Sequence, residues 1–573
     1  MRELMLGNKA VARGMYEAGC KVISSYPGTP STEITEEAAK YDEIYCEWAP
    51  NEKVALEAAH GATLGGVRAA CAMKHVGLNV AADPLFTISY QGLNAGLVIC
   101  VADDPGMHSS QNEQDSRHYA FAAKVPMLEP ADSEESRLFV KEAYEISEKY
   151  NTPVFIKMCT RVAHSQSVVC PEERVEPAQV PYVKDPTKVM MTKNSRDAHV
   201  RVEQRTLDLI QYAETSGINR IEECAEGSLV NGKKIGVITS STSYQYTKEV
   251  FEDKVSVLKL GMVYPLPEKL IKDFAQGKDE IYVIEELDPI IENHCKQLGI
   301  QVHGKDTFPI CGEFSQNLIK KCMGMEEPEF TSIDAQIPGR PPVMCAGCPH
   351  RGIFYILHKK KIMVYGDIGC YTLGAVAPLN AMDLNVCMGA SCSGLHGFNK
   401  AMGEAGESNS VGVIGDSTFM HSGMTGITDI SYNMSNSTVI ILDNSITGMT
   451  GHQQNPTTGK NLRGEPAGKA LGFNRVRVVD PYDLAAVETA VTEELAAKEP
   501  SIIISRRPCV MIKGTVHKPA IAINQDACKG CKACMQIGCP AISFKDKKAH
   551  IDPTLCIGCE VCKQMCRFDA IGM

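Results

Sequence analysis

The sequence predicts an α/β protein built from several doubly wound domains, with a small cysteine-rich module at its carboxyl end. Its 573 residues exceed the roughly 250 to 300 at which one hydrophobic core stops growing, so several domains are expected. Short β-rich runs alternate with alanine-rich helical stretches, which is typical of mostly parallel sheets covered by helices. Eight of the 24 cysteines fall in the last 46 residues, which sets the final module apart.

The first domain is expected over residues 1–167. Its strand candidates are Lys21 to Ser25, Leu97 to Val101 and Val154 to Met158, and its clearest helix candidate is Glu52 to Gly66. A segment rich in proline and charge, residues 168–199, is predicted to cross the surface as a linker.

Two further α/β domains are expected before the cysteine module. A middle domain over residues 200–330 has strand candidates at 235–240, 255–261 and 281–286. After a proline-rich joint, a third domain over residues 338–512 has strand candidates at 411–416, 438–444 and 501–507. The cysteine module is expected over residues 518–573.

Charge and composition argue against several classes of protein. The formal net charge of −11 and the lack of a clustered basic stripe argue against nucleic acid as a partner. No apolar run approaches the roughly 18 residues of a membrane span, and the first residues lack the apolar block of a signal peptide. We therefore expect a cytoplasmic protein without a membrane partner, whose cysteines are metal ligands or reactive thiols.

The cysteine module carries two closely spaced runs. They read Cys528-x2-Cys531-x2-Cys534-x4-Cys539 and Cys556-x2-Cys559-x2-Cys562-x3-Cys566. The doubled run resembles the bacterial two-cluster ferredoxins, in which three close cysteines hold one [4Fe-4S] cube and the fourth crosses to the other. The resemblance implies one cluster on Cys528, Cys531, Cys534 and Cys566, and a second on Cys539, Cys556, Cys559 and Cys562.

Two zinc knuckles are the alternative for this module, but zinc sites usually separate their paired cysteines by a longer spacer. The run departs from the ferredoxin pattern in two places: four residues instead of three precede Cys539, and Arg567 replaces the second proline. The first departure loosens a loop without removing a ligand. Because such modules transfer single electrons, the other domains are expected to carry out a redox reaction.

A second candidate site lies in the third domain. Gly415, Asp416 and Ser417 end one strand candidate, and Asn444 ends the next. Both strand ends should meet at the carboxyl edge of one sheet, where ligands of open α/β folds bind. A carboxylate, an amide oxygen and a backbone carbonyl together suit a magnesium ion that bridges to a diphosphate.

This arrangement resembles the thiamine-diphosphate motif, which pairs Gly-Asp-Gly with a later Asn; here Ser417 replaces the last glycine. The resemblance implies that Asp416, Asn444 and the carbonyl of Ile446 bind Mg²⁺ beside thiamine diphosphate. A chance pair of polar residues at two strand ends is the alternative.

Thiamine chemistry needs a carboxylic acid at the aminopyrimidine ring, because the tautomer so favoured can remove the proton from the reactive carbon. Glu52 begins the helical stretch EKVALEAAHGA. Its placement resembles the activating glutamate of pyruvate:ferredoxin oxidoreductases. Glu47 and Glu57 are rival candidates, and an ordinary carboxylate at a helix start is the simplest alternative.

Two further residues are candidates for binding a substrate carboxylate. The run from Tyr26 to Thr32, YPGTPST, resembles a loop of the same superfamily whose threonine touches the substrate, which implies this role for Thr29. Arg117 lies at a place that resembles that of the substrate-binding arginine, and a guanidinium forks naturally onto a carboxylate. A surface arginine in a polar loop is the alternative.

Four cysteines outside the module, Cys345, Cys348, Cys370 and Cys509, resemble the ligands of the cluster beside thiamine in pyruvate-type ferredoxin oxidoreductases. The resemblance implies a third [4Fe-4S] cluster and an electron path from thiamine through it to the terminal module. Buried free cysteines without a metal are the alternative.

The resemblance extends over nearly the whole chain. A pyrimidine-binding domain, a transketolase-C-like domain, a diphosphate-binding domain and a final ferredoxin module follow one another as in the large subunits of indolepyruvate ferredoxin oxidoreductases, members of the thiamine-dependent 2-oxoacid:ferredoxin oxidoreductase superfamily. This implies oxidative decarboxylation of arylpyruvates with coenzyme A to aryl-acetyl-CoA and carbon dioxide, with reduction of an external ferredoxin. It also implies a smaller beta subunit and a dimer of heterodimers.

Three alternatives remain open for the function. The substrate could be another 2-oxoacid, since no motif reports the acyl pocket. The chain could be a non-oxidative thiamine decarboxylase, which would release an aldehyde without coenzyme A. It could also be a non-catalytic electron-transfer subunit whose thiamine site has decayed.

Overall fold

The computed structural model describes residues 2–327, 331, 333–458 and 464–572. They form two compact units, Met1–Ile333 (unit 1) and Asp334–Met573 (unit 2). Every helix in the described ranges is too short or too polar to cross a membrane.

Unit 1 contains thirteen strands and thirteen α-helices among its described residues. The strands are β1 (Glu3–Leu6), β2 (Val22–Ser25), β3 (Tyr45–Trp48), β4 (Ala69–Lys74), β5 (Leu97–Asp103), β6 (Met127–Leu128), β7 (Val154–Cys159), β8 (Gln166–Val169), β9 (Arg220–Glu222), β10 (Ile235–Thr239), β11 (Ser256–Lys259), β12 (Met262–Tyr264) and β13 (Glu280–Ile284). The helices are α1 (Gly7–Glu17), α2 (Thr32–Ala38), α3 (Glu52–Leu64), α4 (His75–Val80), α5 (Ala82–Gln91), α6 (Arg117–Ala123), α7 (Ser133–Tyr150), α8 (Thr160–His164), α9 (Thr192–Thr215), α10 (Ser241–Phe251), α11 (Glu268–Ala275), α12 (Ile290–Gln297) and α13 (Gln316–Cys322).

The main sheet of unit 1 has seven strands in the order β12-β6-β7-β5-β4-β2-β3. All neighbours pair in parallel except β12 and β6, which are antiparallel. Every residue of β4, β5 and β7 is buried, as expected for parallel strands covered by helices on both faces. A second sheet, β13-β10-β11-β9, forms the centre of the middle domain.

Unit 2 contains the third domain and the cysteine module. Its strands are β14 (Met363–Tyr365), β15 (Ser410–Gly415), β16 (Thr438–Asp443), β17 (Arg475–Val479), β18 (Ser501–Arg506), β19 (Ala522–Ile523), β20 (Ile542–Lys545), β21 (Lys548–Ile551) and β22 (Ile571–Gly572). Its helices are α14 (His350–Lys360), α15 (Ala390–Met402), α16 (Glu404–Glu407), α17 (Asp416–Thr418), α18 (Met424–Tyr432), α19 (Gly464–Ala470) and α20 (Leu484–Leu495). A fully parallel five-stranded sheet has the order β14-β15-β16-β18-β17.

The predicted α/β architecture is confirmed. Each strand candidate in the three α/β domains corresponds to a strand whose ends differ by at most a few residues, and the predicted helix that begins at Glu52 ends at Leu64. Helix α3 begins there because the Asn51 side chain accepts a hydrogen bond from the backbone of Val54 (2.9 Å), which satisfies one of the free N–H groups of the first turn.

The domain boundaries remain predictions, but two features bear on them. Helix α9 begins at Thr192, inside the segment expected to be a linker. Strand β12 belongs to the expected middle domain by sequence, yet it pairs with β6 at the edge of the first domain's sheet. The expected end of the middle domain at residue 330 lies outside the described residues.

Candidate active site and cysteine clusters

The carboxyl edge of the sheet in unit 2 brings the predicted magnesium ligands together. Strands β15 and β16 are parallel neighbours, with Gly415 paired to Leu442. Asp416 therefore follows one strand and Asn444 the next, and both side chains are buried. Ser417 lies in the same loop layer, where its hydroxyl accepts a hydrogen bond from Thr447 (3.0 Å).

Asp416 has the surroundings of a cation ligand. Its carboxylate accepts hydrogen bonds from the Thr457 hydroxyl (2.8 Å) and from the backbone of Ser417 (2.9 Å). The pKa of Asp416 is raised to about 7, mainly by burial and also by the nearby Asp443, while these hydrogen bonds act to lower it. In the described part of the chain no lysine, arginine or histidine forms an ion pair with it, so a bound cation would supply the missing positive charge.

Asn444 is held by its own loop. Its side-chain oxygen accepts a hydrogen bond from the backbone of Ile446 (3.2 Å), and its amide nitrogen lies 3.4 Å from Nε2 of His350. The Ile446 carbonyl predicted to bind Mg²⁺ thus belongs to the turn that the Asn444 side chain stabilises. Neither His350 nor Thr457 was predicted; His350 stands two residues after Cys348 and could have been noticed, whereas Thr457 has no motif.

The eight cysteines of the terminal module line two separate cavities, four to each. One cavity is lined by Cys528, Cys531, Cys534 and Cys566, which we call the Cys528 set. A second cavity is lined by Cys539, Cys556, Cys559 and Cys562, the Cys539 set. Each group of four is the one that the ferredoxin resemblance implies.

The spacing of these thiols bears on the zinc alternative. A zinc site needs its sulfur atoms about 2.3 Å from a single point. Among the described residues, no group of three or more His, Cys, Asp or Glu side chains is gathered closely enough for one metal ion. A [4Fe-4S] cube needs one cysteine for each of its four iron atoms, and each cavity is lined by four cysteines.

Cys345, Cys348, Cys370 and Cys509, the Cys345 set, are also neighbours. The pKa of Cys370 is raised to about 11, mainly by burial and also by the nearby Cys509 and Cys345. Burial likewise raises the pKa of Cys348 to about 12, with added contributions from Cys345 and Cys370. The backbone N–H of Cys509 donates to the Asn444 carbonyl (2.9 Å), which places this set next to the Asp416 and Asn444 edge.

In unit 1, Glu52 differs from its two rivals in burial. Its side chain is 5% exposed, and a methyl group added to Gly77 would come within 2.4 Å of its Oε1 atom. Glu57 is exposed and paired with Lys53, whereas Glu47 accepts hydrogen bonds from Ser24 and Tyr45 (2.8 and 2.9 Å).

Thr29 lies in a loop beside the same segment. The loop follows β2, and a methyl group added to Gly28 would meet the Lys74 side chain at 2.9 Å. Lys74 ends β4, and Gly77 follows it in α4. The segment from Lys74 to Gly77 therefore contacts both the Thr29 loop and Glu52, so both predicted residues lie at the carboxyl edge of one sheet.

Arg117 occupies different surroundings from those expected of a substrate ligand. It is 2% exposed and forms ion pairs with Asp115 (2.6 Å) and Glu285 (2.5 Å). Burial alone would lower the pKa of Arg117, but these two carboxylates raise it well above the usual value. The arginine thus joins the first domain to the middle domain, and its guanidinium is engaged inside the protein.

Three family descriptions match parts of the chain. "Pyruvate flavodoxin/ferredoxin oxidoreductase, thiamine diP-bdg" matches residues 13–223, "Thiamine pyrophosphate enzyme, C-terminal TPP binding domain" matches 367–512, and "4Fe-4S binding domain" matches 549–572.

Several relatives are similar over nearly their whole length. The chain is 37% identical to the "Indolepyruvate oxidoreductase subunit IorA" of Pyrococcus horikoshii, with 99% of this chain and 96% of the relative covered. It is 39% identical to the protein of the same name from Thermococcus kodakarensis, with the same coverage. A solved 2-oxoglutarate:ferredoxin oxidoreductase from Magnetococcus marinus has 17% identity and a TM-score of 0.48, over 56% of this chain and 65% of that one.

We predict that Arg117→Met lowers stability strongly, because it leaves Asp115 and Glu285 buried without a cation, at a cost of about 3 to 5 kcal/mol. Arg161→Met is the matched control: Arg161 pairs with Glu313 but is 56% exposed, so the loss should stay below about 1 kcal/mol. The first thermal unfolding transition reports both. If Arg117→Met instead melts at the same temperature as the unmodified protein but has a raised KM for the 2-oxoacid, the result would favour the substrate role of Arg117.

Proposed function

The chain belongs to the family of IorA subunits of indolepyruvate oxidoreductases, and from this premise we propose that it is the catalytic subunit of a 2-oxoacid:ferredoxin oxidoreductase. The proposed reaction converts an arylpyruvate such as indolepyruvate and coenzyme A into aryl-acetyl-CoA, carbon dioxide and a proton. Two oxidised ferredoxins each take up one electron. The choice of indolepyruvate is supported by the names of the relatives.

One observation carries this proposal. Asp416, Asn444 and Cys509 are brought to one edge of the unit 2 sheet because they follow the neighbouring parallel strands β15, β16 and β18. A diphosphate and metal site directly beside a set of four cysteines suits an oxidative reaction better than a simple decarboxylation, since electrons could leave the site one at a time.

Different residues of the chain would bind the cofactor, transfer a proton, bind the substrate and hold the clusters in the proposed reaction. Asp416, Asn444 and the Ile446 carbonyl would hold Mg²⁺ and the diphosphate of thiamine diphosphate. That cofactor supplies a carbon nucleophile and an electron sink for decarboxylation. Glu52 would exchange a proton with its aminopyrimidine ring, and the Thr29 hydroxyl would bind the substrate carboxylate. The Cys345, Cys539 and Cys528 sets would each hold a [4Fe-4S] cluster.

We propose that the partners are a smaller beta subunit, in a dimer of heterodimers, and an external ferredoxin. Cys531 of the Cys528 set is exposed, and so are its neighbours in the sequence, Lys529 and Lys532. The backbone of Lys547, another exposed lysine, lies against Gly530. We therefore expect the cluster on the Cys528 set to donate electrons to the external acceptor, and its neighbouring lysines suit an acidic electron acceptor.

The proposed function is tested by purifying the chain anaerobically with its beta subunit. We expect viologen reduction by indolepyruvate that requires coenzyme A, thiamine diphosphate and Mg²⁺ together. Reduction with pyruvate or 2-oxoglutarate alone would retain the chemistry and exclude the arylpyruvate assignment. Aldehyde release without coenzyme A would favour the non-oxidative decarboxylase, and inactivity towards every 2-oxoacid would contradict the thiamine proposal.

The role of Glu52 predicts that Gly77→Ala and Glu52→Gln both lower turnover at least about 100-fold, the usual contribution of a proton-transfer group. In Gly77→Ala the added methyl group must displace the Glu52 side chain, while iron content should stay unchanged. Gly61→Ala, on the same helix α3, is the control because no atom lies within 4 Å of the added methyl group. Full activity of Gly77→Ala would count against Glu52.

The third cluster predicts that Cys509→Ser loses about four iron atoms per chain, the content of one cube. Cys387→Ser is the control, since Cys387 is an exposed cysteine outside the three sets. Iron and sulfide determination on anaerobic protein measures both variants. Equal iron in Cys509→Ser and the unmodified enzyme would contradict a four-cysteine cluster at the Cys345 set.

A further inference from the structure

A buried arginine lies between two of the cysteine sets in unit 2. Arg351 stands in the first turn of α14, three residues after Cys348, and is 5% exposed. Its side chain reaches from the loop that carries Cys345 and Cys348 to the turn at Ile537 and Gly538 that precedes Cys539.

Every hydrogen-bond acceptor of this guanidinium is a backbone carbonyl. On one side it donates to the carbonyls of Met344 and Cys345, the latter at 3.2 Å from Nε and 3.3 Å from Nη2. On the other side Nη1 donates to the carbonyls of Ile537 (3.2 Å) and Gly538. No carboxylate forms an ion pair with Arg351 in the ranges that the structure describes.

The two cysteine sets meet at this arginine. Ala346 and Gly347, between Cys345 and Cys348, line the cavity of the Cys539 set. A methyl group added to Gly347 would come within 2.2 Å of Ile557, which lies between Cys556 and Cys559. The loop that carries Cys345 and Cys348 therefore packs against the Ile557 side chain of the loop that carries Cys556 and Cys559.

Thiols of both sets lie close to the charge of Arg351. A cation at this depth is costly unless an anion lies nearby. Burial lowers the pKa of Arg351, and the groups that oppose this effect are Cys539, Cys348, Cys345 and Cys559, two from each set. Clusters with four thiolate ligands would supply the anions that this position lacks.

We propose that Arg351 raises the reduction potentials of the clusters on the Cys345 and Cys539 sets and so favours the reduction of both. The inference rests on the proposed function, since it needs clusters at both sets. Reduction adds negative charge to a cluster, and a fixed positive charge in a low-dielectric interior stabilises the reduced form. Arg351 would act through the clusters, not on the substrate.

The test compares a variant that loses the charge, Arg351→Gln, with one that keeps it, Arg351→Lys. Both are prepared as the complete enzyme with its beta subunit, and redox titration followed by electron paramagnetic resonance gives the midpoint potentials. In Arg351→Gln we expect both midpoint potentials to fall by at least about 59 mV. For a one-electron couple this corresponds to a tenfold change in the equilibrium constant for reduction. Arg351→Lys should stay near the unmodified enzyme.

Two internal controls accompany this comparison. Arg507 also lies near Cys559, but its side chain is 36% exposed and paired with Asp480, so Arg507→Gln should leave the potentials unchanged. The cluster of the Cys528 set should likewise keep its potential in every Arg351 variant, because none of its cysteines is among the groups that act most strongly on Arg351.

Unchanged potentials in Arg351→Gln with full iron would overturn the inference, as would an equal fall in Arg351→Lys. If Arg351→Gln loses its iron, Arg351→Lys distinguishes the explanations. Iron and potentials that are retained in Arg351→Lys support the role of the charge. Loss of iron in Arg351→Lys shows that the hydrogen bonds to the carbonyls matter instead. If the unmodified enzyme has no cluster on the Cys345 set, by the iron content of Cys509→Ser, the proposed function fails at that point.

Discussion

Parallel pairing of neighbouring strands is the constraint on which both candidate sites depend. In unit 2, β15, β16 and β18 run in register, so the residues that follow them, Asp416, Asn444 and Cys509, must emerge at one edge. In unit 1, β2 and β4 do the same for the Thr29 loop and for the segment that contacts Glu52. In each unit, functional groups far apart in sequence are gathered by hydrogen bonding of the backbone alone.

Buried charges in this protein are balanced in more than one way. In unit 1, Arg117 and Lys157 are paired with carboxylates at 2.5 to 2.6 Å, so their charges are balanced within the protein. In unit 2, Asp416 and Arg351 have no ion-pair partner among the described residues. A ligand of opposite sign would stabilise each of these buried charges beyond its hydrogen bonds, which suits a metal cation at Asp416 and anionic clusters beside Arg351.

Much of the fold and of the candidate site could be predicted, because the relevant signals are local. Strands such as β5 and β16 are buried along their whole length and are therefore continuous apolar runs. Asp416 and Asn444 stand where two such runs end, and the resemblance of the doubled cysteine run to two-cluster ferredoxins implies the two groups that line the cavities. Strand ends and short cysteine spacings depend on chain geometry over a few residues.

The sequence by itself thus determined the α/β class, the strands, the polar residues at their ends and the doubled run of terminal cysteines. Only the tertiary structure decided which distant groups meet. Arg117 pairs with Glu285, 168 residues away, β12 joins the sheet of the first domain, Thr457 donates to Asp416, and Arg351 bonds to carbonyls near Cys539. Such contacts have no local pattern, because topology and burial place the two partners together and chain spacing does not.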